Sequence, residues 1–175
     1  LYLSGALKQW RGDYKYDRLG WYEDRNGEIR EKEHLVDADL LLITALINEA
    51  PRAYQIARAA KATYPEKPLI GGGPHMSPLA EEALREAHFD VIVQREGEDI
   101  IGLLCDILLN FTGDDRNREL LKVPGIAFLD NGQFVQTPRR GLVNPDFVQL
   151  PDFDSMVDLT PSNPLAAGVL ETTRG

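Results

Sequence analysis

An α/β fold, with a parallel sheet covered by helices on both faces, is what this chain predicts, and three observations carry the prediction. Three short apolar runs, centred on Leu40-Leu41-Leu42-Ile43, Leu69-Ile70 and Val91-Ile92-Val93, are spaced through the middle of the chain. Each is followed by a segment whose apolar residues recur at helical spacing. Strands that short and that uniformly apolar belong to sheets buried on both sides, the habit of parallel sheets with crossover helices. The second run empties directly into Gly71-Gly72-Gly73, followed by Pro74 and His75. Glycines just past a strand leave the main chain bare where, in an open parallel sheet, ligands bind.

The elements follow in order. Leu3, Ala6, Leu7 and Trp10 lie at helical spacing, with Gly12 as the stop. The chain does not start with Met, so the first helix reads as entered midway, with the strand before it missing. Residues 14–23, rich in Tyr and Trp, read as an edge strand, Asn26-Gly27 as a turn, and residues 28–34 as a solvated connection. The next strand ends in Thr44, and Pro51 opens a helix whose apolar face is Ala53, Ile56, Ala57 and Ala60. Pro65 and Pro68 break that helix ahead of the glycine-ended strand. Ser77 then reads as an N-cap with Pro78 in the first turn, before Leu79, Ala80, Ala83, Leu84 and Ala87. A third strand ends at Gln94-Arg95-Glu96-Gly97-Glu98, and Ile100, Ile101, Leu103, Leu104, Ile107 and Leu108 make the helix after it. Residues 112–117 read as a polar loop. Asp130-Asn131-Gly132 between two apolar stretches is a hairpin signal, and repeated prolines from Pro138 onward suit an extended tail or linker. The expectation is a Rossmann-like (flavodoxin-like) layer over residues 1–122, then a β-hairpin and linker over residues 123–175.

Composition narrows the function classes. With 175 residues and 43% hydrophobic content the chain buries a real core. A net charge of −9 argues against nucleic acid as partner, since phosphate backbones demand clustered cations; Arg139-Arg140 alone does not supply them. No apolar run approaches the roughly 20 residues of a bilayer span, so no transmembrane segment is expected. The single cysteine, Cys105, lies in an apolar helical pattern and reads as core, and a cytoplasmic home is expected.

Parallel strands put their carboxyl ends on one edge, so the loops at Thr44, Gly71-Gly72-Gly73 and Glu96-Gly97-Glu98 line one rim. The glycines match neither dinucleotide nor P-loop phosphate fingerprints, and read either as a tight turn or as a bare surface for a large flat cofactor. Thr44 serves either a ligand or its own backbone. Glu96 and Glu98 are either an acid/base pair or carboxylates favouring the next helix N-terminus. His75 sits near the rim, either touching ligand or capping its own turn. His34, His75 and His88 lack metal-site spacing, and no serine sits in a nucleophile elbow, so neither a metal centre nor a catalytic residue is expected.

In order, Asp37-Ala38-Asp39-Leu40-Leu41-Leu42-Ile43-Thr44, Gly71-Gly72-Gly73-Pro74-His75 and Gln94-Arg95-Glu96-Gly97-Glu98 resemble the cobalamin (vitamin B12)-binding domain of radical S-adenosylmethionine enzymes. These are the proteins grouped with the anaerobic magnesium-protoporphyrin monomethyl ester cyclase and the class B methyltransferases. Val123-Pro124-Gly125-Ile126-Ala127 and Leu150-Pro151-Asp152-Phe153-Asp154 are similar to that family's continuation, and Glu171-Thr172-Thr173-Arg174-Gly175 to the lead-in of its Cys-x3-Cys-x2-Cys loop. The resemblance implies that Thr44, Ala45 and Leu46 border cobalamin, that Gly71, Gly72 and Gly73 pass its nucleotide tail, and that Glu96 and Gly97 close the rim. It implies S-adenosylmethionine and a 4Fe-4S cluster in a downstream radical domain of the same polypeptide, with no catalysis by this module. None of the three histidines fits the Asp-x-His-x-x-Gly loop that places histidine under cobalt in many cobalamin proteins: His34 is flanked by Lys32 and Asp37, His88 by Glu86 and Val91. That loop follows the first strand, expected to be missing, and radical enzymes of this type commonly lack the ligand. The alternatives are a cofactor-free interaction domain of receiver or flavodoxin-like shape, and a nucleotide-binding enzyme domain.

Overall fold

The computed structural model describes residues 2–10 and 38–141. The proposed stop at Gly12, the strand over residues 14–23, the turn at Asn26-Gly27, the connection over residues 28–34 and the tail segments at residues 150–154 and 171–175 lie outside the described residues.

The elements are α1 (Tyr2–Trp10), β1 (Leu41–Thr44), α2 (Ala50–Thr63), β2 (Leu69–Gly72), α3 (Gly73–Met76), α4 (Ala80–Ala87), β3 (Val91–Val93), α5 (Ile101–Asn110), α6 (Gly113–Leu120), β4 (Ile126–Asp130) and β5 (Gln133–Gln136). They build one five-stranded sheet in the order β1-β2-β3-β4-β5. The first three strands are parallel, with Thr44 beside Gly72 and Gly71 beside Ile92. The hairpin β4–β5 joins the same sheet antiparallel, with Val93 beside Ile126. The fold is therefore Rossmann-like, with a mixed sheet.

Strand periodicity divides the core into two layers. Ile70, Val91, Val93, Ile126 and Phe128 point to the face covered by α1, α5 and α6. Leu69, Ile92 and Ala127, the alternate residues, point to the face covered by α2, α3 and α4. The crossovers β1-α2-β2 and β2-α4-β3 step the same way across the sheet, and right-handed connections then put both helices on one face. Small residues let α2 and α4 approach closely: Ala53, Ala57, Ala83 and Ala87 are all buried. On the other face Trp10 of α1 lies over Gly102 of α5, where an added Cβ would collide with its ring, and its indole N–H donates to Asp106 at 2.9 Å.

Three expectations need correction. Leu41, Leu42 and Ile43 are only partly buried, because among the described residues β1 pairs with β2 alone and stands at the sheet's edge. Ser77 is not an N-cap: a short helix begins at the glycines, α4 starts only at Ala80 without a side-chain cap, and the Ser77 hydroxyl accepts the N–H of Arg95 instead. The segment read as a polar loop contains α6, whose first turn carries Asp114 and Asp115 and whose buried anchor is Leu120. Carboxylates at a helix N-terminus favour the helix without any apolar period. The hairpin extends the main sheet, tied to it by Thr137, whose hydroxyl accepts from the N–H of Ile126 and donates to its carbonyl. The turn itself is as expected, with Asn131 and Gly132 both at positive φ.

Among the described residues no helix is long and apolar enough to cross a membrane.

Candidate functional site

The parallel register brings the carboxyl ends of β1, β2 and β3 to one edge, and with them the loops that follow Thr44, Gly72 and Val93. A local network fixes this rim. The main-chain N–H of His75 donates to the Ala45 carbonyl, joining α3 to the loop after β1. Leu46 N–H donates to the Glu49 carboxylate at 3.2 Å. At the far side, the N–H groups of Ile100 and Ile101 donate to the Gly97 carbonyl and start α5.

The three glycines serve different ends. At Gly71 an added Cβ would lie 2.5 Å from Ile92 Cδ1 and 2.9 Å from Met76 Sδ and Phe89 Cδ1, so its own core requires the glycine. Gly73 has φ +92, a conformation that side chains rarely adopt, and a Cβ there would strike the Thr44 hydroxyl. Gly72 is different. Its backbone is extended, and the nearest atom to an added Cβ is the Val93 carbonyl oxygen at 3.5 Å, an ordinary contact. Among the described residues nothing packs closely against that position, and a Cβ would fit beside it.

The other expected residues sort similarly. Thr44 is exposed beside Gly72. The Ala45 side chain is in the core, at 1% exposure, so only its backbone faces the rim network. Leu46 and Ile47 are 51% and 79% exposed, an apolar pair that is costly to leave in water; Ile47 has no signal in the sequence that sets it apart. Gly97 is buried, and an added Cβ would approach Val93 Cγ1 at 3.1 Å and Leu3 Cδ2 at 3.4 Å, so close packing of α1 accounts for it. Glu96 and Glu98 do not lie in the first turn of α5. Both instead act on the guanidinium of Arg140, which also donates to the Glu96 carbonyl.

His75 is held from α2 and α4. The Tyr54 hydroxyl donates to Glu82 Oε1 at 3.1 Å and lies 3.4 Å from His75 Nε2, with the two rings tilted at 57°. With its only proton committed to Glu82, the Tyr54 oxygen accepts from Nε2–H, leaving Nδ1 as the ring's other nitrogen. Burial, and then the hydrogen bond to Glu82, pushes the Tyr54 pKa up to about 12, so it stays a neutral bridge. Tyr54 sits in an apolar helical face, and nothing in its spacing distinguishes it from an ordinary core tyrosine.

Among the described residues no cluster of three or more His, Cys, Asp or Glu could hold a metal ion. The rim offers bare backbone, one hydroxyl, exposed aliphatic surface and one oriented imidazole. That inventory suits binding a large, partly apolar ligand.

The chain is similar to an uncharacterized methyltransferase, PH0819, of Pyrococcus horikoshii, being 31% identical over 142 residues. That match covers 79% of this chain and 30% of the relative, so the chain spans under a third of the relative's length. The B12 binding domain family matches residues 4–104, a stretch that runs from α1 through the first turn of α5 and includes all three rim loops. This chain belongs to the B12 binding domain family.

Proposed function

We propose that this chain holds cobalamin on the carboxyl edge of its sheet as the non-catalytic module of a radical S-adenosylmethionine enzyme, of methyltransferase or tetrapyrrole-cyclase type. The observation that carries the reading is the space beside Gly72, which no described residue packs closely enough to require a glycine. It opens next to exposed Thr44 on a rim that also exposes Leu46 and Ile47. The similarity to a methyltransferase of Pyrococcus horikoshii supports the reaction class.

Each residue has a distinct part. Gly72 lets the cofactor's nucleotide tail approach the main chain, while Gly71 and Gly73 give the loop its shape. Thr44 offers a hydroxyl to the polar groups of the tail, and the backbone of Ala45 completes that wall. Leu46 and Ile47 cover apolar surface of the ring. His75, its ring held by Tyr54 and Glu82, offers its second ring nitrogen as a hydrogen-bonding group. Glu96 and Gly97 border the opposite side. When bound, cobalamin supplies a cobalt centre able to carry a methyl group, while S-adenosylmethionine and a 4Fe-4S cluster belong to a downstream domain. The setting is the cytoplasm.

The test is a titration of the chain with hydroxocobalamin, read by the visible absorption bands and by co-elution on gel filtration. Saturable spectral change with one cobalamin retained per chain is expected. Absence of both, in this chain and in a version extended at its amino end, would overturn the proposal.

A further inference from the structure

A second feature of the rim lies beyond β2, where β3 meets the hairpin. A cavity of about 230 Å³ opens there, with Arg95, Arg139 and Arg140 in its walls alongside Ser77, Gln94 and Gln136. Among the described residues no carboxylate lines it, although the chain carries a net charge of −9. At about 30 Å³ per water molecule, it has room for a hydrated oxyanion.

The walls are fixed by hydrogen bonds. Gln94 Nε2 donates to the Ser77 carbonyl at 3.2 Å, and Gln136 Nε2 donates to Gln94 Oε1 at 3.0 Å. The Arg95 N–H is held by the Ser77 hydroxyl at 3.1 Å. After β5 the chain turns back across the rim: Gly125 N–H donates to the Pro138 carbonyl at 2.8 Å, and Gln94 N–H to the Gly125 carbonyl at 2.9 Å. That return brings Arg139 and Arg140 to the end of β3. Gly125, at φ +77, leaves room for the Arg140 side chain to pass.

Arg140 stands behind this wall. Its side chain is only 8% exposed, and its terminal nitrogens are taken by the Asp99 carboxylate and the Glu96 carbonyl. Its Nε–H packs against Gly125, closed off from the cavity, so Arg140 braces the wall and leaves direct contact to the exposed Arg95 and Arg139. Asp99, Glu96 and Glu98 steady the guanidinium from the loop side without lining the cavity.

We propose that this cavity is an oxyanion site that takes a phosphate group, with Arg95 and Arg139 as its donors and the Arg140 guanidinium bracing the wall behind them. The phosphate belongs either to the nucleotide tail of a corrinoid or to a separate phosphate-bearing molecule. The site stands on its own geometry and does not depend on the cofactor assignment.

Inorganic phosphate titrated calorimetrically into the full chain is expected to bind saturably. The double substitution Arg95→Gln/Arg139→Gln, with its fold checked by circular dichroism, should weaken it about tenfold or more. Either single substitution, Arg95→Gln or Arg139→Gln, should weaken it in part, which keeps the test readable if the double variant fails to fold. No saturable binding, or equal binding by a folded double variant, would overturn the proposal. Cobinamide, a corrinoid without the nucleotide phosphate, separates the sources. Weakened cobalamin binding with unchanged cobinamide binding assigns the phosphate to the tail. Loss of inorganic phosphate binding with both corrinoids unchanged, or with neither corrinoid bound, assigns it to a separate molecule.

Discussion

Substituting Gly71 and Gly72 separately by alanine should split stability from binding, although the residues are adjacent. At Gly71 the new methyl group would sit 2.5 Å from Ile92 Cδ1 and 2.9 Å from both Met76 Sδ and Phe89 Cδ1, all in the core between the sheet and α4. Overpacking of that kind costs about 1–3 kcal/mol. For a chain of this size each kcal/mol lowers the melting temperature by roughly 2–4 °C, so Gly71→Ala should melt about 2–12 °C lower. At Gly72 the nearest atom is 3.5 Å away and the backbone is extended. Gly72→Ala should therefore melt no lower than the parent, and restricting the unfolded chain even favours it by about 0.4–1 kcal/mol. The same methyl group occupies the space assigned to the cofactor tail, so hydroxocobalamin affinity should fall by about tenfold, ~1.4 kcal/mol. Thermal unfolding by circular dichroism and absorbance titration read the two effects independently. A folded Gly72→Ala protein that binds cobalamin as the parent does would refute the assignment of that space.

Three further outcomes are expected. Asp90 accepts the Leu69 N–H at 2.8 Å and pairs with Lys61 at 2.6 Å, both side chains largely shielded, so Asp90→Ala should cost about 1–3 kcal/mol in urea unfolding; an unchanged midpoint would show the link to be inert. Burial pushes the Cys105 thiol from 9.0 up to about 12, so the protonated thiol is the favoured form in the fold. Its stabilising effect is present below pH 9 and disappears as pH rises toward 12, and at pH 8 the thiolate is roughly a thousandfold rarer in the folded chain than in the unfolded one. A disulfide-exchange reagent should accordingly label Cys105 only as fast as the protein opens; prompt labelling of folded protein would contradict its burial. Tyr54→Phe removes the bridge between Glu82 and His75 and should cost about 1 kcal/mol while shifting the His75 ring signals in NMR spectra, whereas unchanged signals would mean the imidazole is held by other contacts.

Periodicity made most of this fold legible. The three parallel strands, the helices between them and the Asp130-Asn131-Gly132 turn all declare themselves through apolar spacing and turn chemistry. Where apolar spacing is absent the reading failed, as at α6, which is stabilised by its charged first turn and anchored by Leu120 alone. Ser77 misled because an N-cap and a distant backbone acceptor use the same hydroxyl, and only the tertiary position of Arg95 decides between them. The rim was legible because parallel strands must end together. The division of labour among its glycines was not, since φ and neighbouring atoms distinguish Gly71, Gly72 and Gly73 while sequence shows three identical residues. Tyr54, Glu82 and Arg140 were invisible for a related reason: their partners lie 21 to 44 residues away in the chain.

The most direct test is to locate the cobalt. Crystals of the chain grown with saturating hydroxocobalamin, measured at the cobalt absorption edge, yield an anomalous difference map whose strongest peak marks the metal. A single peak outside the carboxyl ends of β1 and β2, with corrinoid density reaching Gly72 and Thr44, is the predicted result. A peak at the opposite edge of the sheet, or none in crystals that hold folded protein, would contradict the account.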